Sequence, residues 1–210
     1  MKNKIFFFLS FFLITGCVSS VSKPAVKTQV VQKQPEKEKV LYVFLGKCNP
    51  ELTKYVMAQT NAFYGFDNYS DTTVGLPSEA YSSLRGRYKA DGILGYLQNL
   101  NTNNYKHVIG FINKDICTPK NGIADYGIYG LGTCPGNVCI TSSFRLKENF
   151  DKCLQVVIHE VGHNKGLPHC PNERCLMADA KGGAVKIYTK SPWMCDSCRA
   201  KINKGRMVSG

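Results

Sequence analysis

The sequence predicts an α/β fold: a twisted, mostly parallel mixed β-sheet with packed helices, followed by a small C-terminal subdomain. Three observations lead there. Two continuous apolar runs, VLYVFL at 40–45 and HVIGFI at 107–112, read as buried strands. Helical patterns lie between and after them, the alternation typical of α/β chains. Beyond Gly166 the periodic pattern ends and short-spaced cysteines take over, as in a small cross-linked or metal-bound unit.

Each element follows from its residues. Val40 to Leu45 is a continuous apolar run with β-branched and aromatic residues and no charged side chain. Asn49-Pro50-Glu51 then supplies an N-cap, a first-turn proline and a first-turn acid, so a helix is expected to about Phe63. Leu76-Pro77-Ser78 is read as the opening of a second helix, whose face would be Tyr81, Leu84, Tyr88, Leu94 and Leu97. His107 to Ile112 is the second strand. The glycine-rich stretch ADYGIYGLGTCPGNVCITSSFRL holds strand-like pieces around Ile128 and at Val138 to Ile140. Phe150, Cys153, Leu154, Val157, Ile158 and Val161 then form an apolar stripe at helical period, with Asn149 as its cap and Gly166 as its terminator.

The N-terminus has a different character. Residues 1–17, MKNKIFFFLSFFLITGC, combine a basic start at Lys2 and Lys4 with an apolar run too short to span a bilayer. The run ends in Ile14-Thr15-Gly16-Cys17, which resembles a bacterial lipobox; an ordinary cleaved signal is the alternative. The resemblance implies lipidation at Cys17 and a membrane lipoprotein of the bacterial cell envelope. Residues 18–39 carry Ser, Lys, Gln, Pro and Glu without an aromatic, a tether by composition. The folded domain is expected over 40–210.

Loss of Lys2 and Lys4 with the signal would take the formal charge from +12 to +10. The lysines are scattered and no basic stripe interleaves with aromatics, so no nucleic-acid partner is expected. Besides Cys17 there are nine cysteines, an odd number, so not all can pair internally. Cys134 and Cys139 flank a turn and could pair, and Cys48, Cys117 and Cys153 leave one over.

Three of the four histidines fall in HEVGHNKGLPHC, residues 159–170. On a helix, His159 and His163 lie one turn apart on one face. Glu160 points about 100° away, which suits it to a metal-bound water better than to the metal itself. A turn at Gly166 can return His169 toward the other two, giving three histidines and an open position, the catalytic type of zinc site.

The sequence from His159 onward reads HExxHxxGxxHCx4CxMx17CxxC, which resembles the archaemetzincin (archaelysin) family of metzincin zinc metallopeptidases. The resemblance covers about residues 40–200. It implies a metzincin-like fold and a zinc-dependent peptidase acting on peptide or protein substrates. The catalytic zinc would lie on His159, His163 and His169, with Glu160 as general base to the zinc-bound water and Met177 in the turn beneath. It further implies a second, structural zinc on Cys170, Cys175, Cys195 and Cys198, hence two zinc ions per chain and a zinc-bound C-terminal subdomain. Two short-spaced cysteine pairs suit a closed four-cysteine site, whereas an exported protein would also permit two disulfides. By the same resemblance a substrate lies extended on the edge strand near Gly127 to Leu131. A monomer is expected. The competing readings are a lipid-anchored zinc-binding module that does not cleave, and a disulfide-stapled surface protein.

Overall fold

A computed structural model describes residues 38–100, 105–180, 183 and 193–208. The signal segment, Cys17 and most of the tether lie outside the described residues. In chain order the elements are β1 (Lys39–Leu45), α1 (Pro50–Tyr64), β2 (Asn68–Val74), a 3-10 turn (Ser78–Ala80), β3 (Tyr81–Ser82), β4 (Arg87–Lys89) and α2 (Ala90–Leu100). There follow β5 (His107–Ile112), β6 (Ile116–Lys120), β7 (Ile123–Ile128), β8 (Gly130–Gly132), β9 (Val138–Ser142), α3 (Phe150–Asn164) and α4 (Asp196–Val208).

The main sheet has the order β2-β1-β5-β9-β8. The first four strands are parallel, and β8 runs antiparallel to β9 at the edge. Period-two alternation explains the layers. Val40 and Tyr42 of β1, Ile109 and Phe111 of β5 and Cys139 of β9 point to the side covered by α1 and α3. Leu41, Val43 and Leu45, with Val108, Ile112 and Ile140, point to the side covered by α2. Burial on both faces is why these strands read as unbroken apolar runs.

The first helix forms as expected, with Asn49 Oδ1 accepting from the amides of Glu51 and Leu52 at 3.0 and 3.3 Å. The second helix is shorter than expected and starts only at Ala90. Residues 81–89 instead form the β3–β4 hairpin, with Tyr81 opposite Tyr88, their ring centroids 5.2 Å apart, and Gly86 at φ 64°. Tyr81 and Leu84 are exposed, so their helical spacing marks no core face. A second sheet, β3-β4-β6-β7, was not legible. Cys134 and Cys139 are not paired: Cys139 sits fully buried in β9 while Cys134 is exposed, and both thiols are free.

Glu38 and Lys39, grouped with the tether on composition, belong to the folded body. Lys39 opens β1, and Glu38 Oε2 accepts from Lys165 Nζ at 2.6 Å with His107 Nε2 3.6 Å away. Burial alone would raise the Glu38 carboxyl, but the Lys165 hydrogen bond and the neighbouring His107 ring outweigh it and hold the group down at about 2. A depressed carboxyl stabilises the fold above its ordinary value near 4.5 and loses that contribution as pH falls toward 2. Glu38→Gln is therefore expected to lower stability at neutral pH. It should also flatten the acid limb of a stability profile between those two values. An unchanged acid limb would show that the ion pair does not contribute.

Candidate metal centres and active site

Helix α3 positions the chemistry. Asn149 Oδ1 caps the helix on the Lys152 amide at 3.0 Å, and Cys153, Leu154, Val157, Ile158 and Val161 are buried against the sheet. With that stripe fixed, His159 and His163 are directed to the cleft side of the helix. Gly166, at φ 82°, closes the helix with its amide on the His163 carbonyl at 2.8 Å. The chain then returns His169, and the three rings gather with centroids 4.6, 4.9 and 5.5 Å apart.

The tautomers follow from the partners. His159 Nδ1 donates to the Leu176 carbonyl at 2.8 Å, and His163 Nδ1 donates to the Leu167 carbonyl at 2.7 Å. A carbonyl can only accept, so each Nδ1 carries the proton and each Nε2 keeps its lone pair. Those two Nε2 atoms face each other at 3.0 Å. Two lone pairs at that distance repel unless a cation lies between them. Nitrogens about 2.0–2.1 Å from a tetrahedral zinc stand about 3.3 Å apart, so the donor set fits. Burial holds His159 down at about 4 and also lowers His163, which keeps both neutral and able to ligate. His169 is exposed, with its Nδ1 3.9 Å from Asp179 Oδ2.

Glu160 lies beside this cluster, under the edge strand. It is 7% exposed, and burial raises its carboxyl to about 8. A Cβ on Gly130 would stand 2.8 Å from its carboxylate, and a Cβ on Gly132 would stand 2.7 Å from its backbone oxygen. Glycines at alternate positions of β8 thus allow the strand to lie directly on α3. A cleft of about 890 Å³ runs along β7 and β8 past the three histidines and Glu160.

The second cluster is continuous with the first. Cys170, Cys175, Cys195 and Cys198 bring their sulfurs within 4.8 Å of one another. All four are free thiols, and Cys170 Sγ lies 3.8 Å from Cys195 Sγ. A disulfide needs about 2.05 Å. Sulfurs about 2.3 Å from a tetrahedral zinc stand about 3.8 Å apart, so this donor set also fits a metal. The Cys198 amide pulls the Cys195 thiol below its ordinary range, while burial pushes Cys175 and Cys198 up.

Met177 is fully buried and packs against Gly162 of α3. Its carbonyl accepts from the Cys170 amide at 2.8 Å, and the Ala178 amide donates to Cys175 O at 2.9 Å. A Cβ on Gly162 would meet Met177 Sδ at 2.6 Å, so the glycine inside HEVGH makes room for the methionine. The predicted histidines and cysteines thus gather in two adjoining clusters, Glu160 lies beside the first, and Met177 sits in the turn that follows Cys175.

Sequence reasoning missed the carbonyls of Leu167 and Leu176, which no side-chain motif can signal, and Asn164. The Asn164 Nδ2 donates to Thr133 O at 3.0 Å and Val138 O at 2.8 Å, tying the end of α3 to the β8–β9 connection. The spacing of Gly130 and Gly132 was a usable signal, since glycines two apart on a strand mark a face pressed by something close.

The pattern of Peptidase family M54 matches residues 71–204. The archaemetzincin of Methanopyrus kandleri is 30% identical over 140 residues, covering 64% of this chain and 77% of that protein. That of Nanoarchaeum equitans is 31% identical over 137 residues, covering 64% and 74%. Among solved structures, Methanopyrus kandleri archaemetzincin superposes with a TM-score of 0.68 at 24% identity, covering 80% of this chain and 94% of that one. A zinc-dependent peptidase from Methanocorpusculum labreanum gives 0.60 at 21% identity, covering 78% and 100%. With that family match spanning more than half its length, and with both donor clusters in place, the chain belongs to peptidase family M54, the archaemetzincin family of zinc metallopeptidases.

Proposed function

We propose that the chain hydrolyses peptide bonds at the His159–His163–His169 cluster, with Glu160 as the general base. The observation that carries this is the pair of Nε2 lone pairs converging at 3.0 Å beside a buried carboxyl. The three histidines would hold the catalytic zinc and the four cysteines a structural one. Zinc, when bound, supplies Lewis-acid polarisation of the scissile carbonyl and lowers the pKa of water toward neutrality.

The chain's own residues do the rest. The carbonyls of Leu176 and Leu167 hold the two rings in orientation through Nδ1. With a cation held by the histidines to offset the burial that raises it, the Glu160 carboxylate takes a proton from the attacking water and delivers it to the leaving amine. The peptide lies extended along β8, the outer strand of the sheet, and is held by main-chain hydrogen bonds. Met177 fills the floor under the histidines and fixes their height. Digestion of a peptide library with the purified domain tests this reading. Defined cleavage products are expected, and a library left uncut would favour a binding module.

We further propose that the mature protein is a monomeric lipoprotein of the bacterial cell envelope, anchored through Cys17. Among the described residues no helix is long and apolar enough to cross a membrane. Cys17→Ser is expected to move the protein out of the membrane fraction or leave its signal uncleaved. A native protein recovered soluble, processed and without lipid mass at its N-terminus would overturn the anchor.

A further inference from the structure

The cleft continues past the metal centre to an end lined by cationic side chains, Arg85, Arg87, Lys120 and Arg145. Two aspartates hold the three arginines there. Arg145 donates from Nε and Nη2 to Asp115, the latter at 2.9 Å. Arg87 donates from Nε to Asp115 at 2.7 Å and from Nη1 to the Asp125 carbonyl at 2.6 Å. Arg85 Nε stands 3.3 Å from Asp125 Oδ2, with its side chain 57% exposed.

Three guanidinium groups against two carboxylates leave one positive charge over, and Lys120 adds a second. Asp91 accepts from Thr118 at 2.9 Å and lines a second cavity beside Cys117. Among the described residues, Nη1 of Arg145 and both terminal nitrogens of Arg85 have no hydrogen-bond partner. The aspartates therefore hold the arginines in place without using all their donors. A pinned guanidinium fork with spare N–H groups is a carboxylate receptor.

The backbone that runs from β7 into β8 supplies a ruler. The guanidinium of Arg145 occupies the space that a Cβ on Gly127 would need, as the Glu160 carboxylate does at Gly130. Those glycines, one in β7 and one in β8, are three positions apart, at most about 10 Å of chain. A peptide extended beside this backbone would meet Glu160 at its scissile bond and Arg145 two or three residues away.

We propose that Arg145, with Arg85, forms a carboxylate subsite that selects substrates carrying an acidic group two or three residues from the bond cut. This rests on the peptidase reading and names the substrate class it prefers. An internal Asp or Glu side chain and a free peptide C-terminus both offer that carboxylate, and the test separates them.

The zinc-loaded protein is assayed on quenched peptides in which Glu is moved through each position. Each peptide is compared with its Gln counterpart, with free and with amidated C-termini. A kcat/KM preference of about tenfold for the acidic member is expected at one position two or three residues from the cut, shrinking at high salt. Persistence of the preference in amidated peptides assigns it to an internal side chain. Its confinement to free C-termini assigns it to the terminal carboxylate. Arg85→Glu should invert the preference, and Arg145→Lys should reduce it by removing the fork.

The binding arm uses Glu160→Gln protein and the same peptides carrying a fluorophore, with affinity read by anisotropy. Tighter binding of the Glu peptide is expected. Equal kcat/KM and equal affinity for Glu and Gln peptides at every position would overturn the subsite. Acid-selective binding by a protein that cuts no peptide would instead overturn the peptidase reading and leave the subsite standing.

Discussion

Glu160→Gln is expected to abolish peptide hydrolysis while leaving the metal content of the protein unchanged. The carboxyl is buried between α3 and the edge strand, and neither metal-ligand cluster includes it. Glutamine has nearly the same shape, so the contact under Gly130 survives and only proton transfer is lost. General-base contributions run to about 10²–10⁴-fold, and a drop in kcat/KM of that size is the expected result. Cleavage at the native rate would show that another group moves the proton. Loss of metal together with activity would make Glu160 a ligand, against the geometry.

The second large effect is expected from Cys195→Ser. Serine fills the same space but is a poor zinc ligand, so this variant should carry one metal ion fewer per chain. The damage should reach the catalytic cluster, because the two are joined by covalent neighbours. Cys170 follows His169 directly, and Leu176, whose carbonyl orients His159, lies between Cys175 and Met177. A structural zinc site contributes folding energy outright, and each kcal/mol is worth about 2–4 °C at this chain length. A fall in Tm of about 10 °C is expected on that scale, with reduced kcat on any peptide the native protein cuts. Unchanged metal content and an unchanged Tm would show that the cysteines hold no metal.

What the sequence could convey depended on where each signal resides. Helix α3 was legible because its stripe, its Asn149 cap and its Gly166 terminator all agree. That one helix then placed His159, His163 and Glu160 correctly relative to each other. The central strands were legible because burial on both faces makes them continuously apolar. The reading failed where this rule does not apply. β2, NYSDTTV, is an edge strand with mostly exposed polar residues, and the second sheet is built from short pieces. Tyr81, Leu84 and Tyr88 imitated a helical face because a hairpin with a four-residue connection also brings residues seven apart into register.

At the site, side-chain ligands were visible as a motif, whereas the carbonyls of Leu167 and Leu176 belong to the backbone and carry no residue signature. The arginine cluster was hidden for another reason. Arg85 and Arg87 come from the β3–β4 hairpin and Arg145 from the segment after β9, and they meet only through Asp115 and Asp125.

The most direct test of the central claim is zinc content and peptide hydrolysis measured on the same sample, before and after chelation and after zinc is restored. Two zinc ions per chain, hydrolysis lost with the metal, and hydrolysis regained on reloading are predicted. Hydrolysis that continues undiminished in metal-free protein would contradict the account.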